Sequence, residues 1–163
     1  TNKKDLVQNK EVLDNFDKKL VIDHHELGKN SIYDGYQVID SECSSASQMI
    51  VQILNEYKVE IDSYLATLLL SGIVLDTNNF TLNTNEETFY SAYYLTVYGA
   101  SNKKAQYLLK QDIDNYIEQQ KLLTNIEIIN NKIAIAKGTP HATYRKEDLA
   151  RIAETLLFFG III

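Results

Sequence analysis

The chain has 163 residues, 45% of them apolar, and a formal net charge of −6; that suffices for one ordinary domain with a buried core, or one domain plus part of another. The acidic balance excludes a basic surface of the kind duplex nucleic acid requires, so an anionic substrate would have to be drawn in by local cations, metal ions above all. The single cysteine, Cys43, excludes an internal disulfide and suits a reducing cytosol, and no stretch has the length of a membrane span or the pattern of a signal peptide.

Residues 1–19 are polar, with weak apolar spacing at Leu6, Val7, Val12, Leu13 and Phe16 that predicts a short surface helix between Asn9 and Asp17. Leu20-Val21-Ile22 is short, branched and bounded by charge and Gly28, which predicts a buried strand ending in Asp23-His24-His25. In a parallel sheet such an end faces the crevice where ligands bind. Strand alternation then puts Asp23 and His25 on one side and His24 on the other. That arrangement suits a division of labour in which one imidazole ligates a cation, the other faces substrate, and the aspartate orients an imidazole. Two polar residues opening a loop would produce the same triplet, since a metal site needs more ligands than two.

Tyr36-Gln37-Val38-Ile39 predicts a second strand, and Ser45-Ala46-Ser47-Gln48 matches a capping box opening a helix with Met49, Ile50, Ile53, Leu54 and Tyr57 on one face. The most apolar stretch, 64–75, is rich in Leu and Ala and predicts a buried helix. Thr84-Asn85-Glu86-Glu87 reads as a second capping box, leading into a tyrosine-rich helix that stops at Gly99 as its C′ residue. Ser101 is expected to cap a short helix running to Lys110. Residues 112–130 carry helical apolar spacing and predict a linker helix about 28 Å long. A polar break at Asn130-Asn131, a strand over 132–137 and a helix over 146–159 follow, the last with Leu149, Ile152, Ala153 and Leu156 on one side. The fold class expected is α/β, a parallel sheet flanked by helices in 1–111, then the linker helix 112–130, then the start of a second α/β domain in 131–163. The opening Thr1 and the closing Gly160-Ile161-Ile162-Ile163, which looks like a strand beginning, read as the ends of a piece of a longer protein.

Asp76 follows the buried run. At a helix C-terminus a carboxylate is disfavoured by about 0.3–1 kcal/mol when exposed, and desolvation adds to that if it is buried without a partner. A bound cation removes both objections; the alternative reading is an Asx turn, with Asp76 capping the loop it begins.

The ordered series Val21-Ile22-Asp23-His24-His25, Ser44-Ser45-Ala46-Ser47 and Gly72-Ile73-Val74-Leu75-Asp76-Thr77-Asn78-Asn79-Phe80-Thr81 resembles the DHH phosphoesterase superfamily. The spacing Asn79-Phe80-Thr81, Thr84, Thr88-Phe89 and then Gly99-Ala100 resembles the bacterial cyclic-di-AMP phosphodiesterase branch, and the resemblance runs through the linker helix into the DHH-associated C-terminal domain. It implies a manganese-dependent hydrolase in which two metal ions, about 3.5–4 Å apart, promote hydroxide attack on a phosphodiester. Carried over to matching positions, His24 and Asp76 are metal ligands. His25 and Asp23 are catalytic, the first touching substrate phosphate and the second supporting it. Ser44 and Ser45 become substrate-binding candidates at a helix N-terminus, although helix capping alone would account for them.

The same resemblance implies that the other ligands come from an upstream His-x-x-x-Asp-x-Asp motif and from an aspartate just before Thr1, and that a Gly-Gly-Gly-His loop lies beyond Ile163. The stretch alone is therefore expected to hold half a metal site and to be nearly inactive. Glu26-Leu27 stand where the branch usually has two arginines, with Lys29 the nearest cation. The implied partner is a cyclic dinucleotide or short oligonucleotide, with no duplex nucleic acid, no membrane contact by this stretch and a homodimer left open. The implied location is cytoplasmic, with a membrane-anchored parent compatible. A short-oligonucleotide (nanoRNA) hydrolase, an exopolyphosphatase- or pyrophosphatase-type phosphoesterase, and a degenerate nucleotide-binding module stand as alternatives. His141 in a polar loop, Cys43, and the tyrosines at 90, 93, 94 and 98 are read as solvent-exposed, packing, and core or interface residues respectively.

Overall fold

A computed structural model describes residues 2–110, 112–130, 132–139 and 143–158. The branched run forms β1, Leu20–Asp23, which pairs in parallel with β2, Tyr36–Ile39, Leu20 standing opposite Tyr36 and Asp23 opposite Ile39. Helices flank this pair. The polar start contributes a 3-10 turn, Lys4–Leu6, and a short exposed helix α1, Lys10–Asn15, capped by the Asn9 side chain. Then come α2, Ala46–Glu56, α3, Ser63–Asp76, α4, Glu86–Val97, and α5, Asn102–Leu108. The arrangement is α/β, as the residue pattern predicts.

The chain divides into two compact units, Thr1–Leu109 and Lys110–Ile163. In the first, α3 is the central helix. Its Ala66, Leu70, Ile73 and Val74 are buried with Val51 of α2, Leu95 of α4 and Ala105 of α5, so its apolarity all round follows from having helices on several sides. Asp62 caps it, accepting the N–H of Leu65 at 2.7 Å. Gly72 sits where α3 meets α2: a Cβ there would lie 2.1 Å from Ser47 Oγ.

Several expectations shift in detail. The capping box of α4 is Asn85 with Thr88, one residue later than Thr84 with Glu87; an asparagine carbonyl and a threonine hydroxyl satisfy the two backbone donors reciprocally. The helix then ends as expected, with Gly99 at φ +83°. The core side of α2 is Met49 and Val51, and Tyr57 is solvent-exposed. Tyr94 and Tyr98 pack against the core, but Tyr90 and Tyr93 do not.

In the second unit the helix expected over 112–130 stops at Thr124 (α6, Ile113–Thr124), and Ile126–Ile129 forms β3, antiparallel to β4, Ile133–Ala136. Branched residues lose rotamer freedom in a helix, and here a partner strand of equal length lies three residues away. Asn130 takes the left-handed conformation of the turn, φ +51°. α6 therefore packs within this unit, where Leu122, Ala134, Ile152 and Leu156 form the core with α7, Lys146–Phe158. Asp148 receives Arg145 Nε and Nη2 at 2.8 Å each and Gln119 Nε2 at 2.8 Å. The Arg145 guanidinium is the main cause holding that carboxyl down at about 2. The expected closing strand lies outside the described residues.

Candidate active site

β1 delivers Asp23 into the interior, 2% exposed, and the chain leaves the strand at His24. Asp23 accepts the backbone N–H of Asn2, the backbone N–H of His25 at 3.3 Å and His25 Nδ1 at 2.8 Å. Burial pushes its pKa up, but these donors, led by the His25 ring, prevail and hold it below the usual carboxylate range. An ionised carboxylate only accepts, so His25 Nδ1 carries the proton of this bond and Nε2 is left for another partner. The His25 side chain is 63% exposed. Asn2, fully buried, clips the turn from behind through Nδ2, which donates to the His25 carbonyl at 2.8 Å.

Because β1 ends at Asp23, alternation stops there and His24 does not point away from its neighbours. The two imidazoles meet edge to face, centroids 4.1 Å apart. Ligand-type atoms of Asp23, His24 and His25 all lie within 4.8 Å of one another. Asp76, the last residue of α3, reaches the same place from the far side of the sequence, its Oδ2 3.6 Å from His24 Nε2. Burial raises the Asp76 pKa more than the two histidines lower it. That carboxylate is thus partly desolvated, at the negative end of a helix, facing an imidazole beyond hydrogen-bond distance. This donor set fits a divalent cation, which would compensate the desolvation and the macrodipole together.

Beside the histidines lies a polar cavity of about 460 Å³. One wall is Ser41, Glu42, Cys43 and Ser44, the loop that enters α2; the other is Asn83, Thr84 and Asn85, the loop that enters α4. Two helix N-termini therefore border it. The Cys43 thiol is buried, and burial followed by the Asp40 carboxylate pushes its pKa up to about 12, leaving an inert thiol.

Residues 1–73 match the model of the DHH family, N-terminal domain. The first 73 residues are thus similar to a DHH domain. Over 161 residues it is 35% identical to the cyclic-di-AMP phosphodiesterase PdeA of Listeria monocytogenes and 37% identical to the cyclic-di-AMP phosphodiesterase GdpP of Geobacillus thermodenitrificans, with 96% of this chain covered in each. It spans 24% of the length of either relative. In fold it is similar to an exopolyphosphatase-related protein of Bacteroides fragilis, with a TM-score of 0.70 at 20% identity over 86% of this chain and 44% of that one.

Of the candidate residues, the fold brings Asp23, His24, His25 and Asp76 together, and Ser44 lines the cavity next to them. Ser45 does not line it. Its buried hydroxyl accepts the Gln48 N–H at 3.0 Å as the cap of α2, the duty that helix capping alone predicts. Glu26 is exposed and Leu27 is 42% exposed. His141 lies outside the described residues. The sequence reading passed over Asn2 and Gln48. Asn2 sits in a stretch with no periodic signal, and the spacing of Gln48 from Ser45 predicts half of a capping box, whereas its side chain reaches across to another helix.

Proposed function

We propose that this DHH-like domain is part of a manganese-dependent phosphodiesterase that opens cyclic di-AMP to a linear dinucleotide. The observation that carries the reading is the 3.6 Å approach of His24 Nε2 and Asp76 Oδ2 next to the buried Asp23–His25 pair, at the edge of a polar cavity. The two relatives named as cyclic-di-AMP phosphodiesterases support the substrate. The cavity volume falls within the range of about 300–1,000 Å³ usual for small-molecule sites.

His24 and Asp76 would hold the cation. Manganese bound there supplies an activated water and positive charge against the phosphate. Asp23 fixes the His25 tautomer and ring plane. His25, with Nε2 left for another partner, stands where it can accept or return a proton beside the substrate phosphate. Glu42 and the net acidity of the chain repel a phosphodiester unless cations are bound, which makes activity strictly metal-dependent on this reading. The activity belongs to the cytoplasm on this reading, and no described helix is long and apolar enough to cross a membrane.

The test uses the full-length protein that carries this domain, assayed with manganese against cyclic di-AMP, a short oligoadenylate and polyphosphate. Preference for the cyclic dinucleotide is expected, with His24→Ala and Asp76→Ala each lowering turnover by at least about 100-fold. Wild-type rates in either variant would overturn the ligand assignment, and indifference to all three substrates would overturn the hydrolase reading.

A further inference from the structure

Gln48 stands in the first turn of α2 and is 1% exposed. A buried primary amide is costly unless its polar atoms are paired. Here Nε2 donates to the nearby Cys43 Sγ at 3.7 Å, and the carbonyl oxygen is paired across the fold. Gln48 Oε1 accepts from Ser44 N at 3.1 Å, from the Ser44 hydroxyl at 2.6 Å and from the Thr88 hydroxyl at 2.9 Å, whose single proton it shares with Asn85 Oδ1, also at 2.9 Å. Ser44 belongs to one wall of the cavity, and Thr88 is the N3 residue whose hydroxyl accepts the N–H of Asn85, in the other wall. A second tie runs parallel to the first: Asn85 Nδ2 donates to the Glu42 carbonyl at 3.2 Å. Capping of α2 needs none of this, because Ser45 already closes that helix end.

We propose that Gln48 is a positioning residue: by joining Ser44 to Thr88 it sets the separation of the two cavity walls, and hence the width open to a bulky dinucleotide. The inference rests on the phosphodiesterase reading in one respect, that this cavity receives the substrate. His24 and Asp76 are reached from β1 and α3, outside the Gln48 network, so cation-dependent chemistry on a small ester does not depend on that width.

The experiment compares cyclic di-AMP with bis(p-nitrophenyl) phosphate, a diester without nucleosides or a macrocycle, in the full-length protein with manganese. Thr88→Val removes the hydroxyl at nearly constant volume, and the capping box of α4 with it; Thr88→Ser restores both, and Gln48→Leu removes the acceptor while leaving that box in place. For Thr88→Val we expect KM for cyclic di-AMP to rise about 10-fold or more, since small displacements of positioning groups carry large kinetic costs, while kcat/KM for the small diester changes less than about twofold. Thr88→Ser should return KM to within about twofold of wild type. Gln48→Leu should reproduce the split in whatever fraction folds, because KM does not depend on the active fraction. A merely structural role would lower kcat for both substrates alike and leave KM unmoved. That result, or failure of Thr88→Ser to restore KM, overturns the proposal while leaving the phosphodiesterase reading intact. A wild-type protein that hydrolyses neither diester overturns that reading, and the proposal with it.

Discussion

Gly72→Ala tests whether the close crossing of α2 and α3 places Asp76. The added Cβ would lie 2.1 Å from Ser47 Oγ and 3.0 Å from Ser47 Cβ. Rotation of the hydroxyl relieves the first contact but not the second, so the helices must part slightly. Forcing an extra methyl into such a contact costs about 1–3 kcal/mol. Replacing glycine in a helix interior returns about 0.5–1 kcal/mol. The net expectation is destabilisation of the first unit, Thr1–Leu109, by about 1 kcal/mol, a fall of about 4 °C in its melting temperature for a unit of that size. Asp76 lies one turn beyond Gly72 on the same face, so the shift also carries its carboxylate away from His24. The assay is thermal unfolding followed by circular dichroism, for Gly72→Ala, Ser47→Gly and the double variant. In the double variant the clash is gone and only the gain from replacing glycine is left, so the cycle should show a coupling of about 1.5–2 kcal/mol, well outside the additivity of independent sites. A stabilised Gly72→Ala, as at an open helical position, or strict additivity with Ser47→Gly, would refute the argument.

Two further expectations follow from titrating groups. Asp148, drawn down to about 2 chiefly by the Arg145 guanidinium, contributes stability to the second unit that is complete above the ordinary carboxylate pKa and is lost as pH falls from about 4 through about 2. Acid titration of Asp148→Asn should lack that step, and an unchanged acid profile would count against it. The Cys43 thiol, pushed up to about 12, stays protonated at pH 8, so iodoacetamide should react with the folded chain about 100- to 1,000-fold more slowly than with free cysteine. Because the folded state holds that proton more tightly, this contribution is present below the ordinary thiol pKa and drains away as pH climbs toward 12. Rapid native alkylation would contradict the burial argument.

The parallel strand pair and the helix order could be read from the chain because their signals are local: branched runs with a charged stop, and caps such as Ser45 and Ser101. The meeting of His24 with Asp76 could only be inferred through the family resemblance, since nothing in either neighbourhood encodes the other. Strand alternation misplaced His24 because the rule holds only while the strand lasts, and β1 ends one residue earlier. Ile126–Ile129 misled because isoleucines at that spacing suit either period, and the deciding term is the partner strand across the Asn130 turn. Asn2 and Gln48 were passed over for one reason. Each is a polar residue whose role is to bond backbone or hydroxyl groups distant in sequence, and composition carries no mark of that.

Just after Asp76, the residues Asn78, Asn79 and Phe80 all have positive φ, between 45° and 63°. Two asparagines tolerate that backbone handedness, but a phenylalanine is held there against a cost of about 1–3 kcal/mol, and its ring lies stacked on Phe89 with centroids 5.7 Å apart. The consequence is an asymmetric mutational tolerance along three adjacent codons. Glycine should be accepted at the first, valine or isoleucine refused at all three, and at the third only an aromatic replacement should keep the loop's winding, because glycine there would relieve the torsion and forfeit the ring that opposes it.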